Sequence, residues 1–248
     1  MQKNYEETYH SVEDAHWWFV ARRALVARLV MRGLTDRNAP ILEIGCSGGP
    51  LLQQLHDCGY TRLTGIDIST DAIRLCQQRQ LGDVRVMDAQ RPDFPPASFA
   101  MITASDVLEH LADAPGALRA WHALLRPGCT LVVFVPAFMF LWSEHDVVNQ
   151  HFHRYTAHEL VGLLKKSGFV IQRKGYWNFA LFLPVALVRL AKKFLPSRPD
   201  SAPAGDIKPT PRFINRLLTF LLREENSLIL LGLNFPWGVS AMVVAKKQ

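Results

Sequence analysis

The chain has 248 residues, 49% of them hydrophobic and 20% charged, with a formal net charge of +6. That length can bury a full α/β core, as one domain with an embellishment or as two small domains. The mild basic excess favours anionic partners, but no block of like charges marks a nucleic-acid tail, and four cysteines without paired or zinc-like spacing exclude a disulfide framework. Reduced cysteines point to the cytoplasm. Met1 to Glu7 carries no signal-peptide core, and no apolar run reaches the roughly 18–20 residues of a bilayer span.

In chain order, Ser11-Val12-Glu13-Asp14 predicts a helix start, continuing through His16-Trp17-Trp18-Phe19 and Arg22-Arg23 to about Met31. These side chains suit either core aromatics with solvated arginines or a cover over a ligand pocket, with an arginine meeting a carboxylate. Ile41 to Ile44 is a short apolar run, as in a strand buried on both faces. Gly45, Gly48 and Gly49 then allow a sharp turn, and Pro50 suits the first turn of a helix. Strand, glycine turn and helix N-terminus bring backbone N–H groups to a ligand. Counted from Gly45, Ser47 and Pro50 occupy the third and sixth places, where the dinucleotide fingerprint needs glycine.

Leu51 to Cys58 completes that helix, and Arg62 to Asp67 forms a second strand ending in an acid 22 residues past Gly45. An acid there accepts hydrogen bonds from ribose hydroxyls; the other use is a helix cap, which Ser69 or Thr70 would serve equally well. Asp71 to Gln80 is helical, and Val84 to Ala89 gives a third strand ending at Asp88. Phe99 to Ser105 is a fourth strand, Pro115 to Leu125 a helix and Thr130 to Val135 a fifth strand. The alternation predicts a doubly wound sheet.

The long loop Pro136 to Thr156 gathers aromatics, His145, His151, His153, acids and Arg154. A helix from Thr156 to Ser167 leads to a sixth strand, Phe169 to Lys174. The last strand, Gly238 to Ala245, comes some sixty residues later. The division is therefore 1–38 as an N-terminal cover helix, 39–178 with 236–248 as the core, and 179–235 as a helical insert with a flexible linker at 196–212. The insert's helices, Phe179 to Leu195 and Phe213 to Leu233, carry wide apolar faces. Three covers are open: the domain itself, a second subunit in a homodimer, or a membrane interface met by basic residues.

Glu43-x-Gly45-x-x-x-Gly49 after a buried strand resembles the first motif of class I S-adenosylmethionine-dependent methyltransferases. His16-Trp17-Trp18-Phe19-x-x-Arg22-Arg23, Val107-Leu108-Glu109-His110-Leu111 and Trp142-Ser143-x-His145-Asp146 … Arg154-Tyr155-Thr156 are similar to further stretches of that family. Ser47 replaces the usual middle glycine. The resemblance implies a seven-stranded, mostly parallel Rossmann-like sheet and S-adenosyl-L-methionine as cofactor. It implies a cofactor-binding set of Arg22, Glu43, Gly45, Cys46, Gly49, Asp67, Ile68, Asp88, Ala89, Ser105 and His110. Arg22 or Arg23 would meet the methionine carboxylate, Asp67 the ribose and Asp88 the adenine amino group.

The expected reaction is methyl transfer to a small-molecule or lipid-linked acceptor at oxygen. A histidine is the natural base near neutral pH, with His145 the first choice and His151 the second; the other reading is that these histidines bond to one another and hold the loop. His145, Asp146, His151 and His153 match no standard metal spacing. Asp106-x-x-Glu109-His110 resembles a pattern of quinone-biosynthesis O-methyltransferases that use a divalent cation, but relatives without metal share it, and no metal is assigned. A non-catalytic, membrane-peripheral protein keeping this fold and a nicotinamide-dependent reductase are the alternatives. Nucleic acid is not an expected partner. The expected location is cytoplasmic, with the inner face of the membrane reached peripherally if the insert binds it.

Overall fold

The computed structural model describes residues 3–194 and 210–248. Seven strands, β1 (Ile41–Ile44), β2 (Leu63–Asp67), β3 (Asp83–Val86), β4 (Phe99–Ser105), β5 (Leu125–Pro136), β6 (Phe169–Trp177) and β7 (Ser240–Lys247), form one sheet. Their order is β3-β2-β1-β4-β5-β7-β6, with β7 antiparallel to both neighbours and the other pairs parallel. The expected doubly wound sheet is therefore present. Strand order reverses between β1 and β4, so a crevice opens beyond their carboxyl ends, where such sheets bind ligands.

The helices are α1 (Lys3–Val12), α2 (Trp17–Gly33), α3 (Pro50–Asp57), α4 (Thr70–Gln78), α5 (Ala114–Leu124), α6 (Glu144–Val148), α7 (Ala157–Lys166), α8 (Phe182–Phe194) and α9 (Arg212–Leu230). All four residues of β1 are buried, because helices cover both faces of the sheet. One face packs on α5 and α7 around Trp121, Leu160 and Leu164. The other packs on α2, α3, α4 and α9 around Leu25, Leu52, Ile73 and Ile229.

One expectation is corrected. The single N-terminal helix is two helices. The His16 ring accepts the Trp18 N–H at 3.4 Å and caps α2. Asp14, the acid at the third place after Ser11, pairs instead with Arg79 at 2.7 Å, and Glu13 beside it accepts the Ser47 hydroxyl at 2.7 Å. Of the three covers left open for the insert's second helix, the domain itself covers one side of α9, through Leu222, Ile229 and Leu230. The polar residues Asn215 and Asn226 of α9 face the protein: Asn215 accepts the Trp17 N–H (2.8 Å) and donates to the Ala15 carbonyl (2.9 Å). Asn226 accepts the indole N–H of buried Trp177 and donates to the Ala21 carbonyl, both at 2.8 Å. These groups satisfy backbone and indole positions that burial would otherwise leave unpaired.

Buried Glu225 of α9 accepts the backbone N–H groups of Asn178 (2.6 Å), Phe179 (3.1 Å) and Ala180 (3.1 Å), which pins the chain as it leaves β6 for α8. Of the linker expected at 196–212, residues 196–209 lie outside the described residues. Among the described residues no helix is long and apolar enough to cross a membrane.

Candidate active site

The glycine turn follows β1 at the crevice. Gly45 has φ +72°, and a Cβ there would lie 2.3 Å from Val107 Cγ2, so the close approach of this turn to the end of β4 requires glycine. Ser47 has φ +49°, in the left-handed region where the resembled motif carries glycine. Its hydroxyl compensates by donating to Glu13, and it lies 3.3 Å from His10 Nδ1. The segment joining α1 and α2 is thus tied to the loop, a contact no sequence motif signalled. Gly49 caps α3 at φ +83°, packed against Leu81 and Cys76.

Asp67, at the end of β2, accepts the N–H groups of Ser47 (3.0 Å) and Ser69 (2.9 Å). Ser69, not Asp67, caps α4, by accepting the Ala72 N–H. Burial raises the Asp67 carboxyl, opposed by those two N–H bonds. Ile68 beside it is 73% exposed, a surface suited to a flat aromatic ring. Asp88 is exposed beyond β3 and accepts the Gln90 N–H at 2.8 Å, while the Ala89 carbonyl is held by the Trp121 indole. Cys46 is buried, its sulfur 3.9 Å from that of Cys76, and reaches the crevice through its backbone only.

Arg22 is placed differently from expectation. Its guanidinium is buried among Trp18, Phe134 and Trp177 and donates to Ser105 Oγ (3.2 Å), Asp106 (3.0 Å) and Ser240 Oγ (2.6 Å). It clamps the ends of β4 and β7, because Asp106 turns its carboxylate toward it from a left-handed backbone. Arg23 donates to the carbonyls of Glu13 (3.1 Å) and Asp14 (3.2 Å).

Beyond this clamp lies a cavity of about 430 Å³. Tyr9, Trp17, Trp18 and Phe19 wall one side, and Leu181, Val185 and Val188 of the insert wall another, with Leu218 of α9. Asp106, Glu109, His110, His145, Asn149, His151 and Arg154 supply its polar lining. His151 Nδ1 donates to Asp146 Oδ1 at 2.8 Å, and Arg154 Nε donates to the same oxygen at 2.7 Å. Burial would raise Asp146, but the bonds from His151 and the Arg154 charge hold it well below the usual carboxylate range. His145 lies behind His151, both ring nitrogens 3.3 Å from the Asn149 amide. Burial drives His110, edge-on to His151, down to about 3, so its imidazole is neutral. Buried Glu109 is raised well above the usual range by burial and then by Asp106.

The two metal patterns rearrange. His153 faces Tyr155 and stands apart from the other three loop residues, and Asp106 is taken by Arg22. Among the described residues, Glu109, His110 and His151 bring one ligand atom each within 4.8 Å of one another. Neither Glu109 oxygen has a hydrogen-bond partner, so the trio fits a divalent ion of the kind that accepts mixed nitrogen and oxygen donors.

Comparison with known proteins agrees with this geometry. The methyltransferase domain family matches residues 16–174. A ubiquinone biosynthesis O-methyltransferase of Idiomarina loihiensis is 30% identical over 192 residues, 75% of this chain and 70% of that protein. The chain belongs to the class I S-adenosylmethionine-dependent methyltransferases. A second ubiquinone biosynthesis O-methyltransferase, from Albidiferax ferrireducens, is 32% identical over 99 residues, and the match spans only 36% of this methyltransferase and 37% of the relative. Among solved structures, a SAM-dependent methyltransferase from Archaeoglobus fulgidus shares the fold at a TM-score of 0.55 and 17% identity, covering 91% of this chain and 94% of its own.

The glycine loop of this methyltransferase fits a cationic cofactor. Glu43 is 8% exposed, and its Oε2 has no hydrogen-bond partner, a position suited to receive an ammonium. Burial, reinforced by Cys76, Glu13 and Asp67, raises its carboxyl well above the usual range. Those neighbouring acids would repel a pyrophosphate, which disfavours the nicotinamide alternative.

A sign follows for pH. Between about 4.3 and its raised value, Glu43 holds a proton in the fold that an unfolded chain would release, so the unliganded fold loses stability as pH rises through that window. An ammonium ligand favours the charged carboxylate and expels the proton. Affinity for S-adenosylhomocysteine is therefore expected to rise with pH across the window, then level. Calorimetry in two buffers of different ionisation enthalpy should show proton release in the wild type and none in Glu43→Gln. Equal heats in both buffers for the wild type would remove Glu43 from the ammonium site.

Proposed function

We propose that this methyltransferase transfers the methyl group to a hydroxyl oxygen of a small acceptor with an apolar tail, and that His151 is the base. The observation that carries the reading is the buried Asp146–His151 pair on the cavity wall. Asp146 takes the proton side of Nδ1, so the other ring nitrogen, Nε2, keeps its lone pair for the acceptor. S-adenosylmethionine supplies an electrophilic methyl on a positively charged sulfur. The acceptor O–H proton passes to His151 Nε2, the oxygen's electron pair forms the new C–O bond, and the C–S pair stays on sulfur. Asp146 stabilises the resulting imidazolium, as buried Arg154 balances the aspartate. The aromatics of α2 and the apolar residues of α8 align the acceptor and exclude water.

A divalent ion held by Glu109, His110 and His151 would occupy the His151 Nε2 lone pair, so it would stand in place of His151 as base and would instead acidify the acceptor hydroxyl directly. The names of the relatives and the aromatic lining support a phenolic acceptor. Leu181, Val185, Val188 and Leu218 support the tail, and with it the lipid-linked class.

The test is a series of catechols with alkyl tails of increasing length. The specificity constant kcat/KM should climb by up to roughly fourfold per methylene while the tail still enters the cavity. His151→Ala should lower kcat by about 10²–10⁴-fold with unchanged affinity for S-adenosylhomocysteine, and His145→Ala by less. Full turnover in His151→Ala, or methylation confined to amine acceptors, would overturn the reading.

A further inference from the structure

We propose that the outer faces of α8 and α9 are a docking surface for an anionic lipid membrane, whatever the acceptor. Phe213, Leu217, Phe220, Leu221, Leu228 and Leu231 recur along one side of α9 at helical spacing, and all are exposed, from 37% at Leu221 to 82% at Leu231. The opposite side of the same helix holds Leu222, Asn226, Ile229 and Leu230 in the protein interior. So α9 is anchored by one face and presents a second apolar face to the surroundings. A stripe this long exceeds the scattered exposure of ordinary monomer surfaces.

Charge identifies the occupant. Arg212, Arg216 and Arg223 are exposed and recur four and seven residues apart, which sets them on one flank of the stripe. Between α2 and α9, Ala15, Val20, Asn215, Arg216, Thr219, Phe220 and Arg223 line a depression of about 310 Å³. Two guanidiniums beside an aromatic ring match a phosphate headgroup with its acyl chain alongside. The excess charge of +6 draws an anionic surface and repels a second copy of the chain. Glu224, exposed between Phe220 and Leu228, interrupts the stripe, so insertion is deepest at the amino-terminal half of α9.

The surface continues on α8, where Leu183 and Leu187 are exposed one turn apart on the helix whose Val185 and Val188 line the acceptor cavity. With no described helix able to span a bilayer, contact is interfacial. The cavity then opens beside the lipid.

Vesicle sedimentation tests this with the full chain. Vesicles mixing phosphatidylcholine and phosphatidylglycerol should bind the wild type, increasingly as salt is lowered, and phosphatidylcholine alone should bind it weakly. The variant Arg216→Gln/Arg223→Gln should lose about thirtyfold in affinity. Phe213→Ser/Leu217→Ser/Phe220→Ser should lose more than about a hundredfold. Both variants alter exposed side chains and should keep wild-type affinity for S-adenosylhomocysteine, which reports an intact fold. Should the triple variant misfold, the arginine pair and the wild-type salt dependence still decide. Equal binding to both vesicle types, no binding to either, or a wild-type dimer by light scattering that the triple variant converts to monomer would overturn the proposal, the last by giving the face to a second copy.

Discussion

Asp146→Asn is expected to lower kcat by about 10²–10⁴-fold and to destabilise the fold by about 3–5 kcal/mol. Both effects arise at one oxygen. Asp146 Oδ1 accepts from His151 Nδ1 and from Arg154 Nε, and Oδ2 accepts the Ser143 N–H at 2.8 Å. An asparagine amide turned toward His151 donates to Nδ1, forces the proton onto Nε2 and abolishes the base. Loss of the negative charge also leaves Arg154 buried and unbalanced, with the Ala137 carbonyl as its remaining hydrogen-bond acceptor in this cluster.

A double variant separates the two effects. Asp146→Asn/Arg154→Leu should recover part of the urea midpoint, because the uncompensated charge is gone, while turnover stays low. Recovery of turnover with stability would show that Asp146 only holds the loop. The acid-side behaviour has a definite sign: Asp146 is depressed in the fold, so its stabilisation is complete above about pH 4 and fades as pH falls toward its folded value.

Glu225→Ala is expected to cost about 3 kcal/mol or more, since the N–H groups of Asn178, Phe179 and Ala180 lose their acceptor inside the protein. Burial raises this carboxyl and the three N–H bonds oppose that rise. Glu225 bonds to neither Asp146 nor His151, yet the substitution frees the root of α8, which walls the acceptor cavity. KM for a tailed acceptor should therefore rise more than kcat falls, and S-adenosylhomocysteine affinity should stay level. Unchanged urea unfolding, or a loss confined to kcat, would contradict this account of Glu225.

The sheet was legible because buried parallel strands print as apolar runs, and Glu43, Asp67 and Asp88 stand where the sequence put them, at or just past the ends of β1, β2 and β3. The acceptor side was legible in content only. His145 and His151 stand in the same loop, and nothing in their spacing tells which has an acid behind it; that depends on the turn from Asn149 to Arg154 that brings Arg154 and His151 to one carboxylate. Ser143 and Asp146 form a capping box on α6, and the same carboxylate has a second use at His151 and Arg154. Arg22 misled because a buried arginine and a ligand-binding arginine look alike in sequence. For α9, amphipathic pattern reading assumes that the apolar side faces the core. Asn215, Glu225 and Asn226 face inward instead, because their partners are backbone groups and one indole on distant segments.

The way α9 is held has a bearing on kinship and on engineering. Residues 179–235 look like a cassette that could be exchanged between relatives. Yet Asn226 joins Trp177 to Ala21, and Asn215 joins Trp17 to Ala15, so half of the fastening belongs to the host. A transplant of the cassette alone would arrive with its asparagines facing whatever side chains the recipient happens to carry. Only chimaeras that also import the aromatic opening of α2 and the end of β6 should accept it, and natural exchange of this segment should carry those two stretches along.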